Sequence, residues 1–255
     1  MGIENSQSQI YYAVATAREV ELAAEKFGGP ERILGTEARR ATDFLQAEDR
    51  AAFLGARTLL RLLLAHVQHG DLAMAEQLRI SRRCTSCGSV EHGKPATPEH
   101  SISLSRSRKM FIAAVGPKQI DLGVDIERGP GFSPEGVFAG FDDVALTAAE
   151  RRLVRREANA DRVRLIAWSA KEALLKASGT GLRQEPSAVP VLSARALRAE
   201  REGRWIEVKH PAEYQLRWLP VPATHVSALA ASAPLPVAEL SAELFGGENG
   251  QLIQP

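Results

Sequence analysis

An α+β fold, with a hint of two similar halves, is what the sequence predicts, and three observations lead to it. Short runs rich in β-branched and aromatic residues are interspersed with longer stretches of helical periodicity. His225-Val-Ser-Ala-Leu-Ala-Ala231 echoes Lys109-Met-Phe-Ile-Ala-Ala-Val115 earlier in the chain. The length, 255 residues, accommodates one large domain or two packed halves of ordinary size.

In chain order, residues 9–16 read as a first strand, and Gly28-Gly29-Pro30 breaks the helix that follows it. Residues 37–68 read as helix, with Phe44, Leu45, Phe53, Leu54, Leu60 and Leu64 on an apolar side. Its arginines, Arg39, Arg40, Arg50 and Arg57, suit a solvated face. Arg61, inside a leucine run, suits a buried or interdomain contact instead. Gly93-Lys94-Pro95 reads as an exposed turn that displays a lysine. Ser101-Ile-Ser-Leu-Ser-Arg-Ser107 alternates as a strand, and Ser105, Arg106 and Ser107 offer donors suited to a phosphate. Residues 110–116 read as a buried strand and 129–141 as a loop or lid. Thr147-Ala-Ala-Glu150 is a capping box, and Asp161 is expected to cap the next helix. That helix ends at Gly179-Thr-Gly181. Residues 189–192, 205–209, 214–219 and 225–231 are read as four further strands.

Charge and composition exclude several classes. With 32 basic against 31 acidic residues, a net charge of +1, no overall field calls for nucleic acid or an anionic membrane. Three Tyr and three Trp leave little for stacking on bases. The polar N-terminus lacks a signal-peptide layout. The best apolar run, residues 58–67, is broken by Arg61 and far too short to span a bilayer. A cytoplasmic protein is expected. Cys84 and Cys87, with His92 and His100 as the nearest further ligands, lack the second regular pair of a structural zinc site, so reduced thiols are expected there.

The chemistry concentrates in residues 120–176. In the strand Ile120-Asp-Leu-Gly-Val-Asp-Ile-Glu127, alternation puts Gly123, Asp125 and Glu127 on one face and Leu122, Val124 and Ile126 on the other. Two carboxylates side by side repel unless something positive lies between them, and a hard divalent cation suits their oxygens. In the later helix, Val163, Ile166, Ala167, Ala170, Leu174 and Ala177 form an apolar stripe. Leu165, Trp168 and Leu175 flank Glu172 and Lys176 on the other side. A helix apolar on both sides is packed on both sides, so Glu172 and Lys176 are expected to be partly desolvated; the plainer alternative is an i,i+4 surface pair.

Gly123-Val-Asp-Ile-Glu127 and Trp168-Ser-Ala-Lys-Glu-Ala-Leu-Leu-Lys176 resemble the paired signature of the 4′-phosphopantetheinyl transferases of the large, Sfp-like type. Gly93-Lys-Pro95 matches that family's G-K-P turn. Leu104-Ser-Arg-Ser107 stands where the family has L-S-H-S, with Arg106 replacing its histidine. The resemblance covers about residues 37–232. It implies a pseudo-dimer of two α+β halves with the ligand cleft between them, here 1–117 and 118–233, followed by a loosely attached tail, 234–255. It implies Mg²⁺-dependent transfer of the 4′-phosphopantetheine arm of coenzyme A to a serine of an apo acyl or peptidyl carrier protein, as in fatty-acid, polyketide or nonribosomal-peptide synthesis, by a monomer. Asp125, Glu127 and Glu172 would be the metal ligands, with Glu172 alternatively the base. Lys176 would sit on the phosphates, Arg40 and Lys94 on the nucleotide's 3′-phosphate, Ser105 and Arg106 on the phosphates, and His92 near the adenine. Because arginine cannot titrate near neutral pH, Arg106 leaves open the alternative of a relative that binds coenzyme A or carrier protein without efficient turnover.

Overall fold

The computed structural model describes residues 9–83, 87–90, 93–129, 137–209 and 212–246. Strand β1 (Ile10–Thr16) runs directly into helix α1 (Ala17–Glu25), where Thr16 and Glu19 form a reciprocal capping box. After α2 (Pro30–Leu34), the expected long helix is split in two. A 3₁₀ segment, Gly35–Asp43, ends where Phe44 turns extended, and α3 (Ala47–His69) starts afresh. Strands β2 (Ser81–Arg83) and β3 (Lys94–Ala96) pair as a small ribbon, so Gly93-Lys94-Pro95 opens a strand and Lys94 is half-buried, not displayed on an exposed turn. The hairpin β4 (His100–Ser107) and β5 (Met110–Pro117) completes the first half of the chain, and β6 (Leu122–Arg128) begins the second.

Helices α4 (Phe141–Ala145), α5 (Ala148–Val154) and α6 (Ala160–Ser178) follow. The Thr147–Glu150 capping box forms as expected. The next cap is Asn159, which accepts from the Arg162 N–H, while Asp161 lies within the first turn and binds Arg164. Residues 189–192 are not a strand, because the Val191 and Leu192 N–H groups donate to Glu150 Oε1 and leave no ladder donors. Helix α7 (Ala194–Glu202), capped by Ser193, precedes β7 (Ile206–Lys209), β8 (Glu213–Trp218) and β9 (His225–Ala231). The segment after Pro234 is not loose over its described part: β10 (Val237–Glu239) pairs in parallel with β1, and α8 (Ser241–Phe245) buries Leu244. Among the described residues no helix is long and apolar enough to cross a membrane.

These elements form an α+β structure with two four-stranded sheets, ordered β10-β1-β5-β4 and β6-β9-β8-β7. Each contains a first strand, a long helix and a hairpin whose last strand returns beside the first: β1, α3, β4–β5 in one, and β6, α6, β8–β9 in the other. Helix α3 packs its leucines on one face of the first sheet against Ala13, Phe111 and Val115. Helix α6 packs Ile166, Ala170 and Leu174 over the second sheet, against Ala228 and Ala230. Between the sheets, Ile10, Tyr12 and Ile112 meet Leu122, Val124, Ile126 and Leu229.

The sheets are joined by serines along β4. Ser101 Oγ donates to Ile120 O at 2.6 Å, Ser103 Oγ accepts from Val124 N at 3.0 Å, and Ser107 Oγ accepts from Arg128 N at 3.0 Å. Period-2 alternation puts these hydroxyls on one side of β4, facing β6. On the other side of β6, α6 comes into backbone contact. A Cβ on Gly123 would lie 2.0 Å from Ala173 O and 2.5 Å from Ala177 N. Gly123→Ala should therefore lower stability by about 3 kcal/mol or more, read as a shift in the urea midpoint; an unchanged midpoint would mean that the strand and helix are not held this close in solution.

Candidate active site

The site lies where β4, β6 and α6 meet. Asp125 projects from β6 toward α6 and is 3% exposed. Its Oδ1 accepts from Lys176 Nζ at 2.6 Å and from Ser105 Oγ at 2.6 Å, and Lys176 Nζ also donates to Ser105 Oγ at 2.9 Å and to Val124 O at 3.3 Å. Ser227 Oγ donates to the Asp125 carbonyl at 2.8 Å. Asp125 Oδ2, also buried, has no hydrogen-bond partner. Two residues on, Glu127 Oε1 accepts from the Trp168 indole N–H at 3.0 Å. Phe141 stands edge-on to Trp168 at 5.7 Å and holds that ring in place.

Burial, then the neighbouring Asp125 charge, pushes the Glu127 carboxyl up to about 8, against the easing effect of Lys176 and the indole. Glu172, one helical turn before Lys176 on α6, is likewise raised, first by burial and then by Asp125. Glu172 is half-buried within the electrostatic reach of Asp125, so the surface-pair alternative does not describe it. The three acids are not drawn into a cage, however: among the described residues no group of three or more His, Cys, Asp or Glu side chains is gathered closely enough to hold a metal ion. Asp125 instead takes Lys176 and Ser105, and Glu127 takes the Trp168 indole.

The donor set nevertheless suits a hard cation in kind. It offers carboxylate oxygens only, one of them buried without a partner, and burial, then repulsion from Asp125, raises the proton affinity of the other two acids.

The other expected residues are distributed around this centre. Lys94 Nζ donates to Ala177 O at 2.8 Å, at the C-terminal end of α6, and burial lowers its pKa against the pull of Asp121. Ser105 is in the centre. Arg106, next on β4, points to the opposite face, where its Nη1 meets Asp49 O at 3.3 Å and its guanidinium lies 5.9 Å from the Phe44 ring. Arg40 stands over Phe53 at 5.8 Å. His92 and Cys84 lie outside the described residues; Cys87 is exposed.

Sequence reading missed a cationic cluster beside Arg40. Glu37 receives Arg57, Arg61 and Arg82 at 3.1, 3.6 and 2.7 Å. Burial pushes the Glu37 carboxyl up, but Arg82 and its neighbours outweigh that and hold it below its ordinary range. Burial, then the Arg82 charge, takes Arg57 down to about 10. Three guanidiniums share one carboxylate, and Arg61 Nε is buried without a partner. The expectation for Arg61 holds: it also donates to Ala75 O and Leu78 O. Arg57 was assigned to a solvated face, and only the pairing of β2 with β3 brings Arg82, opposite Pro95, into the same region.

The model of the 4′-phosphopantetheinyl transferase superfamily matches residues 121–229, from the residue before β6 into β9. That stretch is a domain of this superfamily, and it contains Asp125, Glu127, Glu172 and Lys176. The match supports a transferase acting on phosphopantetheinyl groups. No curated protein matches the chain.

Beneath the site, Lys171 of α6 is fully buried. It donates to Glu150 Oε2 and Ala145 O, both at 2.6 Å, and to Pro186 O at 3.0 Å. Lys171→Ala should cost about 3–5 kcal/mol by leaving Glu150 buried and unpaired, whereas Lys171→Ala/Glu150→Ala should cost less than the sum of the singles. Additive losses in chemical denaturation would show that the pair is not coupled.

Proposed function

We propose that the protein transfers the 4′-phosphopantetheine arm of coenzyme A to a serine of an apo carrier protein, in a Mg²⁺-dependent reaction that releases adenosine 3′,5′-bisphosphate. The observation that carries this reading is the Asp125–Lys176–Ser105 knot with its partnerless Oδ2, inside the matched domain and beside Glu127 and Glu172, whose proton affinities burial raises. The three-strand core shared by the two sheets, β1-β5-β4 and β6-β9-β8, favours a pseudo-dimer, with halves 1–117 and 118–233 and the coenzyme in the cleft between them.

Asp125 and Glu127, with Glu172 as a third ligand or as the base, are the residues that would hold Mg²⁺. When bound, the ion supplies charge neutralisation at the diphosphate. Lys176 sits where leaving-group charge develops. Its ammonium, fixed by Ser105 and the Val124 carbonyl, is already oriented, so little reorganisation is needed as that charge grows. Glu172, its proton affinity raised by burial, is better suited than an ordinary carboxylate to take the serine proton. Lys94, Arg40 and the arginines around Glu37 would hold the nucleotide's 3′-phosphate, guanidinium forks and an ammonium acting together. Arg106 points away from the centre, which favours the competing reading of a relative that binds coenzyme A or carrier protein without efficient turnover.

Mass spectrometry of an apo carrier protein incubated with coenzyme A, Mg²⁺ and this protein separates the two. The wild type should add one phosphopantetheine, and Asp125→Ala should add none while melting cooperatively. Carrier binding without a mass gain would establish the competing reading.

Proton linkage gives an independent measurement. Burial and the Asp125 charge push the Glu127 carboxyl up to about 8, against 4.5 for an ordinary glutamate side chain. Between these limits the folded state binds more protons than the unfolded state, so stability should fall as pH rises through that window. Mg²⁺ favours the ionised form and should raise Tm most at the upper end. Glu127→Gln should flatten both trends in calorimetry; a wild-type profile in that variant would remove Glu127 from the site.

A further inference from the structure

At the edge of the second sheet, where α7 turns into β7, a cavity of about 390 Å³ is lined by Arg195, Arg198, Ala199, Arg204, Trp205 and Ile206. It is separate from the candidate active site. β6 and β7 are the two outer strands of that sheet, three strand spacings or about 14 Å apart.

Three guanidiniums line this cavity and no carboxylate does. The acids at the end of α7 are already engaged: Glu200 accepts from Arg162 Nη2 at 2.7 Å, and Glu202 pairs with Arg204. Arg195 and Arg198 stand about one helical turn apart, where like charges repel. Both are exposed, and neither makes an ion pair or hydrogen bond with any described residue. A fourth guanidinium strengthens the positive field nearby. Extending the β7–β8 register by one residue sets Arg217 opposite Trp205, and its Nη2 lies 4.0 Å from where a Cβ on Gly203 would stand. The Arg217 Nε is buried without a partner.

Trp205 narrows the kind of anion. Its indole N–H donates to Leu235 O at 3.0 Å, which pins the half-buried ring and uses its one donor. What the ring has left for a ligand is a flat π surface, on which a heterocyclic base stacks. Ala199 and Ile206 extend the apolar wall. Guanidinium forks match phosphate oxygens, and several forks together suit more than one phosphate. The volume falls within the range of small-molecule sites, about 300–1,000 Å³.

We infer that this pocket binds a nucleoside di- or triphosphate, with the phosphates on Arg195, Arg198 and Arg204 and the base on Trp205. The site is a second one, and it does not depend on the transferase reading.

Titration calorimetry tests it on the full chain with ADP and with inorganic pyrophosphate, both without divalent ions. The wild type should bind ADP more tightly than pyrophosphate, and added salt should weaken both. Arg195→Ala/Arg198→Ala removes side chains that hold nothing else in place, so its Tm should equal that of the wild type. Its affinity for ADP at this site should fall about tenfold or more. Trp205→Leu should weaken ADP several-fold and leave pyrophosphate unchanged. Wild-type ADP affinity in the double arginine variant would overturn the assignment, as would a wild type that binds neither ligand. Pyrophosphate bound as tightly as ADP would overturn the nucleoside part, leaving a site for phosphate alone.

Discussion

Backbone contact between β6 and α6 at Gly123 governs the site. With no Cβ at that position, the Ala173 carbonyl sits directly on the strand, and the helix carries Ala170, Ala173 and Ala177 toward the sheet, where longer side chains would hold it off. Only from this close can Lys176 reach across to Asp125 while also touching the Val124 carbonyl. A misplacement of about 1 Å can cost a hundredfold in rate when reacting groups must be aligned. The glycine of the strand motif is thus a spacing element for the lysine of the helix motif. The two halves of the signature are one contact seen from its two sides.

The serines of β4 set the other wall. A backbone ladder would fix neighbouring strands at about 4.8 Å; here hydroxyls stand between the two backbones at three positions and use ordinary hydrogen bonds, each worth about 0.5–1.5 kcal/mol net. The fourth serine in the same register, Ser105, turns its hydroxyl to a side chain instead, Asp125. One alternating pattern therefore supplies both the join between the sheets and a ligand of the centre. From sequence Ser105 was legible only as a donor suited to phosphate, and its bond to Asp125 was not, because the partner strand of β4 was not visible from β4 itself.

Local pattern made much of the fold legible. Alternation placed Gly123, Asp125 and Glu127 on one face, periodicity placed Glu172 beside Lys176, and the capping box at Thr147 fixed the start of α5. What was not legible depends on partners distant in sequence. Residues 189–192 have the composition of a strand, yet Glu150 takes two of their N–H groups. The three-residue β10 looks like a tail until β1 accepts it and Tyr12 reaches Glu239. The arginines around Glu37 come from a helix and a short ribbon that no periodicity connects.

Helix α6 holds two lysine–carboxylate pairs, and the difference between them separates support from chemistry. Lys171 has three acceptors, and Glu150 receives donors at both oxygens: Lys171 and the Thr147 N–H at one, the Val191 and Leu192 N–H groups at the other. Every buried charge there is answered, as a structural ion pair requires. One and a half turns on, Lys176 answers only one oxygen of Asp125, and burial raises the proton affinity of two further carboxylates nearby, Glu127 and Glu172. Burying polar groups in this state costs stability, and nothing in the packing needs it. A fold that satisfies one pair fully while leaving its neighbour short of positive charge is what the proposed metal-dependent site requires.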